Sequence, residues 1–190
     1  VGVLRRLIPL QDSSDGVKAL RLRMAEVLAG MGRREESLDA ARRALEVEPH
    51  SVSDLERVYA LSVSLRAWND AVRALELKVQ VHLVAEERDP AIAAYFTVAD
   101  LWEGQGGKPE LSAGALEKVL ELDPANRTAY ERVCTLYRAN NDWRAYATVM
   151  DRYMPHLVTD EEKMAALREI ARVQEERLGQ KDVAFLALCR

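Results

Sequence analysis

Gly32-Arg-Arg-Glu-Glu-Ser-Leu-Asp-Ala-Ala-Arg-Arg-Ala-Leu-Glu-Val-Glu-Pro49 opens on a turn glycine and closes on a proline after a helical run. Residues three or four apart share a helix face, so Ser37, Ala41 and Ala44 form a stripe of small side chains. The same phrase returns, at the same length, as Gly107-Lys-Pro-Glu-Leu-Ser-Ala-Gly-Ala-Leu-Glu-Lys-Val-Leu-Glu-Leu-Asp-Pro124. A helix delimited in this way and then repeated predicts an array of like units.

On the N-terminal side, residues 1–10 read as the tail of a helix, with Pro9 near its end, and Asp12 to Asp15 can cap the next helix. That helix is predicted from about Gly16 to Ala29, with a turn at Gly30–Gly32 and a second helix from Arg34 to Val47. Ser51 with Asp54 starts the next one, which ends near Leu65, and Trp68 opens a longer one reaching about Glu87. Asp89-Pro90 combines a cap with a first-turn proline and starts a helix that reaches about Gly104. Pro109 opens another, stopped before Pro124. Asn126 caps a helix to about Ala139, and Trp143 leads one towards Pro155. Thr159 and Glu162 form a capping-box pattern for a helix ending near Leu178, and Gly179 turns the chain into a last, short one. No segment alternates with period two for long enough to make a strand, so the class is all-α.

Composition agrees. Apolar residues make up 48% of the 190, enough for a continuous core, and 9 Gly with 6 Pro are too few for a loop-rich or all-β chain. A formal charge of −4 argues against nucleic-acid binding, which needs a basic field. No apolar run is long enough to span a bilayer. Val1 is not an initiator methionine and residues 1–10 lack a signal-peptide pattern, which suggests a piece of a longer protein; cytoplasmic location is the default expectation. Cys134 and Cys189 are too few for a disulfide framework, and Cys134 falls in the small-residue slot of a buried helix face. His50, His82 and His156 show no metal-ligand spacing. Gly104-Gln-Gly-Gly107 lacks the Lys-Ser/Thr of a phosphate loop. Glu35-Glu36 and Glu161-Glu162 read as first-turn carboxylates facing helix dipoles. No catalytic residue, metal or cofactor is expected.

The repeated phrase resembles the second helix of a tetratricopeptide repeat, whose signature runs W-x2-L-G-x2-Y, then A-x3-F, then P. The first-helix part maps best on Tyr95, Val98, Ala99 and Trp102, matching in size rather than identity. The corresponding sets are Arg21, Met24, Ala25 and Leu28; Leu55, Val58, Tyr59 and Ser62; Tyr130, Val133, Cys134 and Tyr137; and Leu167, Ile170, Ala171 and Gln174. The small third residue lets two helices approach closely, and Tyr59 departs from that rule, as Arg21, Ser62 and Gln174 do at other positions. Above this sits a second period. Pro49 and Pro124 are 75 residues apart, as are Trp68 and Trp143, while Pro9 and Pro155 are 146 apart, as are Ala25 and Ala171. The chain thus looks like a run from a large bacterial tetratricopeptide protein with two alternating repeat types.

The resemblance implies a single right-handed α-solenoid of antiparallel hairpins over residues 1–190, with about 4.5–5 repeats. Residues 1–10 are the tail of a preceding helix. Residues 16–49, 51–88, 90–124 and 126–157 are repeats one to four, and 160–190 a truncated fifth. Trp68 and Trp143 are expected beneath the turns of their hairpins as core residues. It further implies that first-helix residues off the stacked stripe line a concave groove: Leu22, Glu26 and Ala29; Glu56, Ala60 and Val63; Phe96, Asp100 and Glu103; Glu131, Thr135 and Arg138; Arg168, Arg172 and Glu175. The partner-binding candidates are Glu26, Glu56, Phe96, Asp100, Glu103 and Glu131, together with Arg138, Arg168 and Arg172. A carboxylate clamp is argued against, because its cationic slots carry Glu56 and Ala60, or Phe96 and Asp100. Two functions fit: a scaffold binding a protein or peptide segment in the groove, or a structural spacer or self-association module. Val183, Phe185, Leu186 and Leu188 would lack covering neighbours, so dimerisation or end-to-end packing is expected.

Overall fold

The computed structural model describes residues 1–189; Arg190, counted above as the end of the fifth repeat, lies outside them. Among the described residues eleven α-helices succeed one another: α1 (Gly2–Leu7), α2 (Ser14–Gly30), α3 (Arg34–Leu45), α4 (Val52–Ser64), α5 (Trp68–Val84), α6 (Arg88–Leu101), α7 (Pro109–Leu122), α8 (Arg127–Ala139), α9 (Trp143–Tyr153), α10 (Asp160–Glu176) and α11 (Lys181–Leu188). Short 3-10 turns at Ile8–Leu10 and Met154–His156 and a π-helical turn at Trp102–Gly106 complete the order, with no strand among the described residues. Most predicted caps are in place, the exception being Asp89, which falls inside the first turn of α6 because that helix already starts at Arg88. Ser13, Ser51 and Asn126 accept from the backbone N–H of Gly16, Asp54 and Ala129, and Thr159 with Glu162 closes a full capping box. Gly32, Gly107 and Gly179 sit at turns in the left-handed region, where a Cβ would be strained. Arg66 and Asn141 take the same conformation at the turns after α4 and α8.

The chain divides into two compact units, Val1–Leu101 and Trp102–Arg190, the boundary falling within the segment read as repeat three. In the first unit α2 packs on α3, α4 on α5 and α5 on α6, while α2 also meets α4 and α3 meets α5. Its core joins Leu22, Met24, Ala25 and Leu28 of α2 to Ala40, Ala41, Ala44 and Leu45 of α3, and to Leu55, Val58 and Ala74 beyond. Two ion pairs tie hairpin to hairpin across this core. Arg57 of α4 donates to Glu26 of α2 at 2.7 Å, and Arg42 of α3 grips Asp70 of α5 with two bonds of 2.7 and 2.8 Å. Lys18, almost wholly buried, reaches the Pro49 carbonyl and lies 3.8 Å from Asp15 and 3.9 Å from Asp54.

In the second unit α7 packs on α8, α8 on α9, α9 on α10 and α10 on α11. Tyr130 and Tyr153 stack with centroids 3.9 Å apart, and the Tyr153 hydroxyl donates to the Ala125 carbonyl at 3.1 Å. The small third position is buried as expected at Ala25, Ala99, Cys134 and Ala171. Burial pushes the Cys134 thiol up to about 11, which fits a packing role and not a nucleophile. Tyr59, the exception, is part-buried against the edge of the first core.

Three expectations need correction. Leu22, assigned to an open groove, is 2% exposed and lies in the core, because α4 covers that side of α2. Trp68 and Trp143, assigned to the core, are only half-buried; the Arg177 guanidinium lies 4.7 Å over the Trp143 ring and shields it instead. The deeply buried indole is Trp102, 6% exposed, with the Lys108 ammonium over its ring.

Candidate functional site

The nine candidate residues separate into those engaged by the fold and those presented to solvent. Glu26 is engaged. The hydrogen bond from Arg57 holds its carboxyl below the usual carboxylate range against the opposing effect of burial, with a smaller contribution from Arg23. Such a group stabilises the fold at pH values above its unfolded pKa, and the contribution disappears as pH falls through the lower folded value. Stability of the first unit is therefore expected to drop below about pH 4.5, and Arg57→Gln to flatten that part of the profile, as read from denaturant midpoints across an acid series. Unchanged acid sensitivity in Arg57→Gln would show that the pair does not couple to folding.

Glu103 is engaged too. It accepts from the buried Ser112 hydroxyl of α7 at 2.7 Å and from Arg132 of α8 at 2.7 Å, so it ties the π-helical turn to the next two helices. Glu56, by contrast, is exposed and pairs with Lys78 of its own hairpin at 2.7 Å. Glu131 is exposed and meets Arg127 one turn away on its own helix at 2.8 Å. Arg138 lies 5.6 Å from the Tyr146 ring, its charge still facing solvent. Phe96 and Asp100 belong to α6; Phe96 is half-buried and Asp100 exposed. Arg168 and Arg172 are exposed on α10, with Arg172 bonded to Glu169 at 2.8 and 2.9 Å and to Glu176 at 3.3 Å.

Two grooves in the second unit gather candidates. Glu103 and Glu131 line a shallow one of about 210 Å³ with Arg132, Thr135 and Leu136. Arg168 and Arg172 rim a larger one of about 430 Å³ whose floor is Ala171, Ala184, Phe185 and Leu188. In the first unit a groove of about 440 Å³ between α1, α2 and α3 is lined by Ile8, Met24 and Leu28 with Arg5, Arg21, Glu36, Asp39 and Arg43. No candidate from the sequence falls there. Among the described residues no cluster of three His, Cys, Asp or Glu side chains could hold a metal ion, and no helix is long and apolar enough to cross a membrane.

The second helices begin at Arg34, Trp68, Pro109, Trp143 and Lys181; Arg34 to Trp68 and Pro109 to Trp143 are each a step of 34 residues. The helix before each of them carries a buried small residue, Ala25, Ala99, Cys134 or Ala171, except where Tyr59 stands. The repeats are tetratricopeptide-like. No family model matches the chain, and no curated protein matches it in sequence. Among solved structures the chain is similar to MamA from AMB-1 (15% identity, 92% of this chain and 90% of that one, TM-score 0.41). It is also similar to YrrB, described as a TPR protein with an unusual peptide-binding site (12%, 90% and 82%, TM-score 0.39). A third is pilF of Pseudomonas aeruginosa (17%, 97% and 79%, TM-score 0.40). The fold assignment rests on the hairpins themselves.

Proposed function

We propose that this chain is a protein-interaction scaffold that holds a segment of a protein or peptide partner along the outward faces of its first helices. The reading takes residues 1–190 as one array working in the cytoplasm. It is supported chiefly by one observation: Glu56 and Glu131 are exposed charges on first helices, paired with Lys78 of the same hairpin and Arg127 of the same helix. Such charges can exchange partners without loosening the stack, whereas Glu26 and Glu103 cannot. The recognition set therefore narrows to Glu56, Phe96 and Asp100 in the first unit and to Glu131, Arg138, Arg168 and Arg172 in the second.

Replacing Glu56, Asp100 and Glu131 together by lysine should abolish capture of the native partner while the helical signal and thermal midpoint stay near wild type. Retention of the same partners by a folded triple variant would contradict the scaffold reading. A second reading, self-association, has its own observation: Phe185, Leu186 and Leu188 stand 61–67% exposed on α11.

A further inference from the structure

The outward face of α8 carries Glu131, Thr135 and Arg138, at spacings of four and three residues that keep them on one stripe, and all three are exposed. Glu131 lines the groove of about 210 Å³ together with Arg132 and Leu136. Arg132 is taken by Glu103, which also accepts from Ser112, so that pair belongs to the packing of the unit. The Glu131 carboxylate is held more loosely. Its partner Arg127 is 64% exposed and already reaches a second carboxylate, Glu162 of α10, at 3.2 Å. An incoming cation can therefore take Glu131 while Arg127 keeps Glu162, an exchange between exposed ion pairs that changes the stability of the fold little.

Arg138 lies seven residues further on, about 10 Å along the helix axis. Its guanidinium meets the face of the Tyr146 ring at 5.6 Å, a contact that steadies the side chain without neutralising its charge. In the first unit α4 repeats Glu131-Arg132-Val133 as Glu56-Arg57-Val58, but it has Val63 where α8 has Arg138. This couple of opposite charges therefore belongs to α8 and is not shared by its counterpart.

Resting on the scaffold reading, we propose that the face of α8 reads a partner segment by two charges of opposite sign about 10 Å apart. A lysine or arginine of the segment meets Glu131, with its methylene stem over Leu136 in the groove, and an aspartate or glutamate meets Arg138. Three residues of extended chain span about the same 10 Å, so the segment carries its cation and its anion three positions apart. Complementarity in both signs sets direction as well as partner, because a segment laid the other way would bring like charges together.

The test is titration of the full chain with three capped, dye-labelled peptides of alanine and glycine that differ only at two positions three apart: Lys with Glu, Lys with Lys, and Glu with Glu. The Lys–Glu peptide should bind, and each like-charged peptide should bind about tenfold more weakly or worse. Glu131→Gln and Arg138→Gln should each weaken the Lys–Glu peptide about tenfold with the helical signal unchanged. Glu121→Gln, at an exposed carboxylate of α7 paired with Lys118, should not. Single reversals Glu131→Arg and Arg138→Glu should abolish binding, and the two together should restore it, the peptide now lying in the opposite direction. The proposal is overturned if the Lys–Glu peptide fails to bind at millimolar concentration, if the Lys–Lys peptide binds as well, or if the double reversal does no better than the single ones. Self-association that the Lys–Glu peptide disperses would give the groove to a second copy and overturn it too. Loss of native partners by the Glu56, Asp100 and Glu131 triple variant without any peptide binding would sink this proposal alone, so its failure and that of the scaffold reading remain distinguishable.

Discussion

Trp102→Ala is expected to lower the unfolding free energy of the second unit by about 3–5 kcal/mol, the usual range for truncating a buried indole. The ring is 6% exposed and sits where the chain leaves α6 through the π-helical turn, and the Lys108 backbone N–H closes that turn on the Trp102 carbonyl at 3.0 Å. Removing the ring leaves a cavity beside this turn, which Glu103 also ties to Ser112 and Arg132. Trp143→Ala should cost less, about 1–2 kcal/mol, since that ring is less deeply buried than Trp102 and loses mainly the Arg177 contact and an edge contact to Tyr146. Chemical denaturation of the two variants decides the matter. Equal losses, or a larger one at Trp143, would mean that the burial of these indoles is misassigned.

Ala25→Leu is the second large effect. Ala25 is fully buried at the closest approach of α2 and α3, where the Ser37 hydroxyl donates to its carbonyl at 2.8 Å. The added carbons have no space, so the helices must separate and the bond must lengthen, costing about 1–3 kcal/mol or more. Tyr59→Leu provides the contrast. Tyr59 occupies the same place in the second hairpin yet lies part-buried at the core edge, so the change should be nearly neutral. A neutral Ala25→Leu would remove the reason for a small residue at this position.

Much of the fold was legible because its signals are local. Caps, turn glycines and first-turn prolines mark helix ends, and Ser51, Pro109, Asn126 and Thr159 each start a helix within a residue of the expected place. The long α5 ends at Val84 instead of Glu87 because Glu86 takes a left-handed turn and the Glu87 N–H folds back to the His82 carbonyl. The faces of the helices were harder to read. A charge on a first helix looks alike whether an arginine of the next hairpin meets it, as Arg57 meets Glu26, or one of its own helix does, as Arg127 meets Glu131. Leu22 and Lys18 were missed as core residues for a related reason: what buries them lies about 30 or more residues away, at Leu55, Val58, Pro49 and Asp54. Tryptophan misled in the other direction, since a half-buried ring under an arginine leaves the same letter in the sequence as a fully buried one.

Within each unit the helices pack on their sequence neighbours, and damage to one hairpin should stay local. Hydrogen–deuterium exchange of wild type and Ala25→Leu, compared helix by helix, is the sharpest check on this. Exchange should quicken in α2 to α5, with protection in α9 to α11 unchanged. A uniform loss of protection from α2 through α11 would contradict the stacked-hairpin description, because that is how one closed globular core responds.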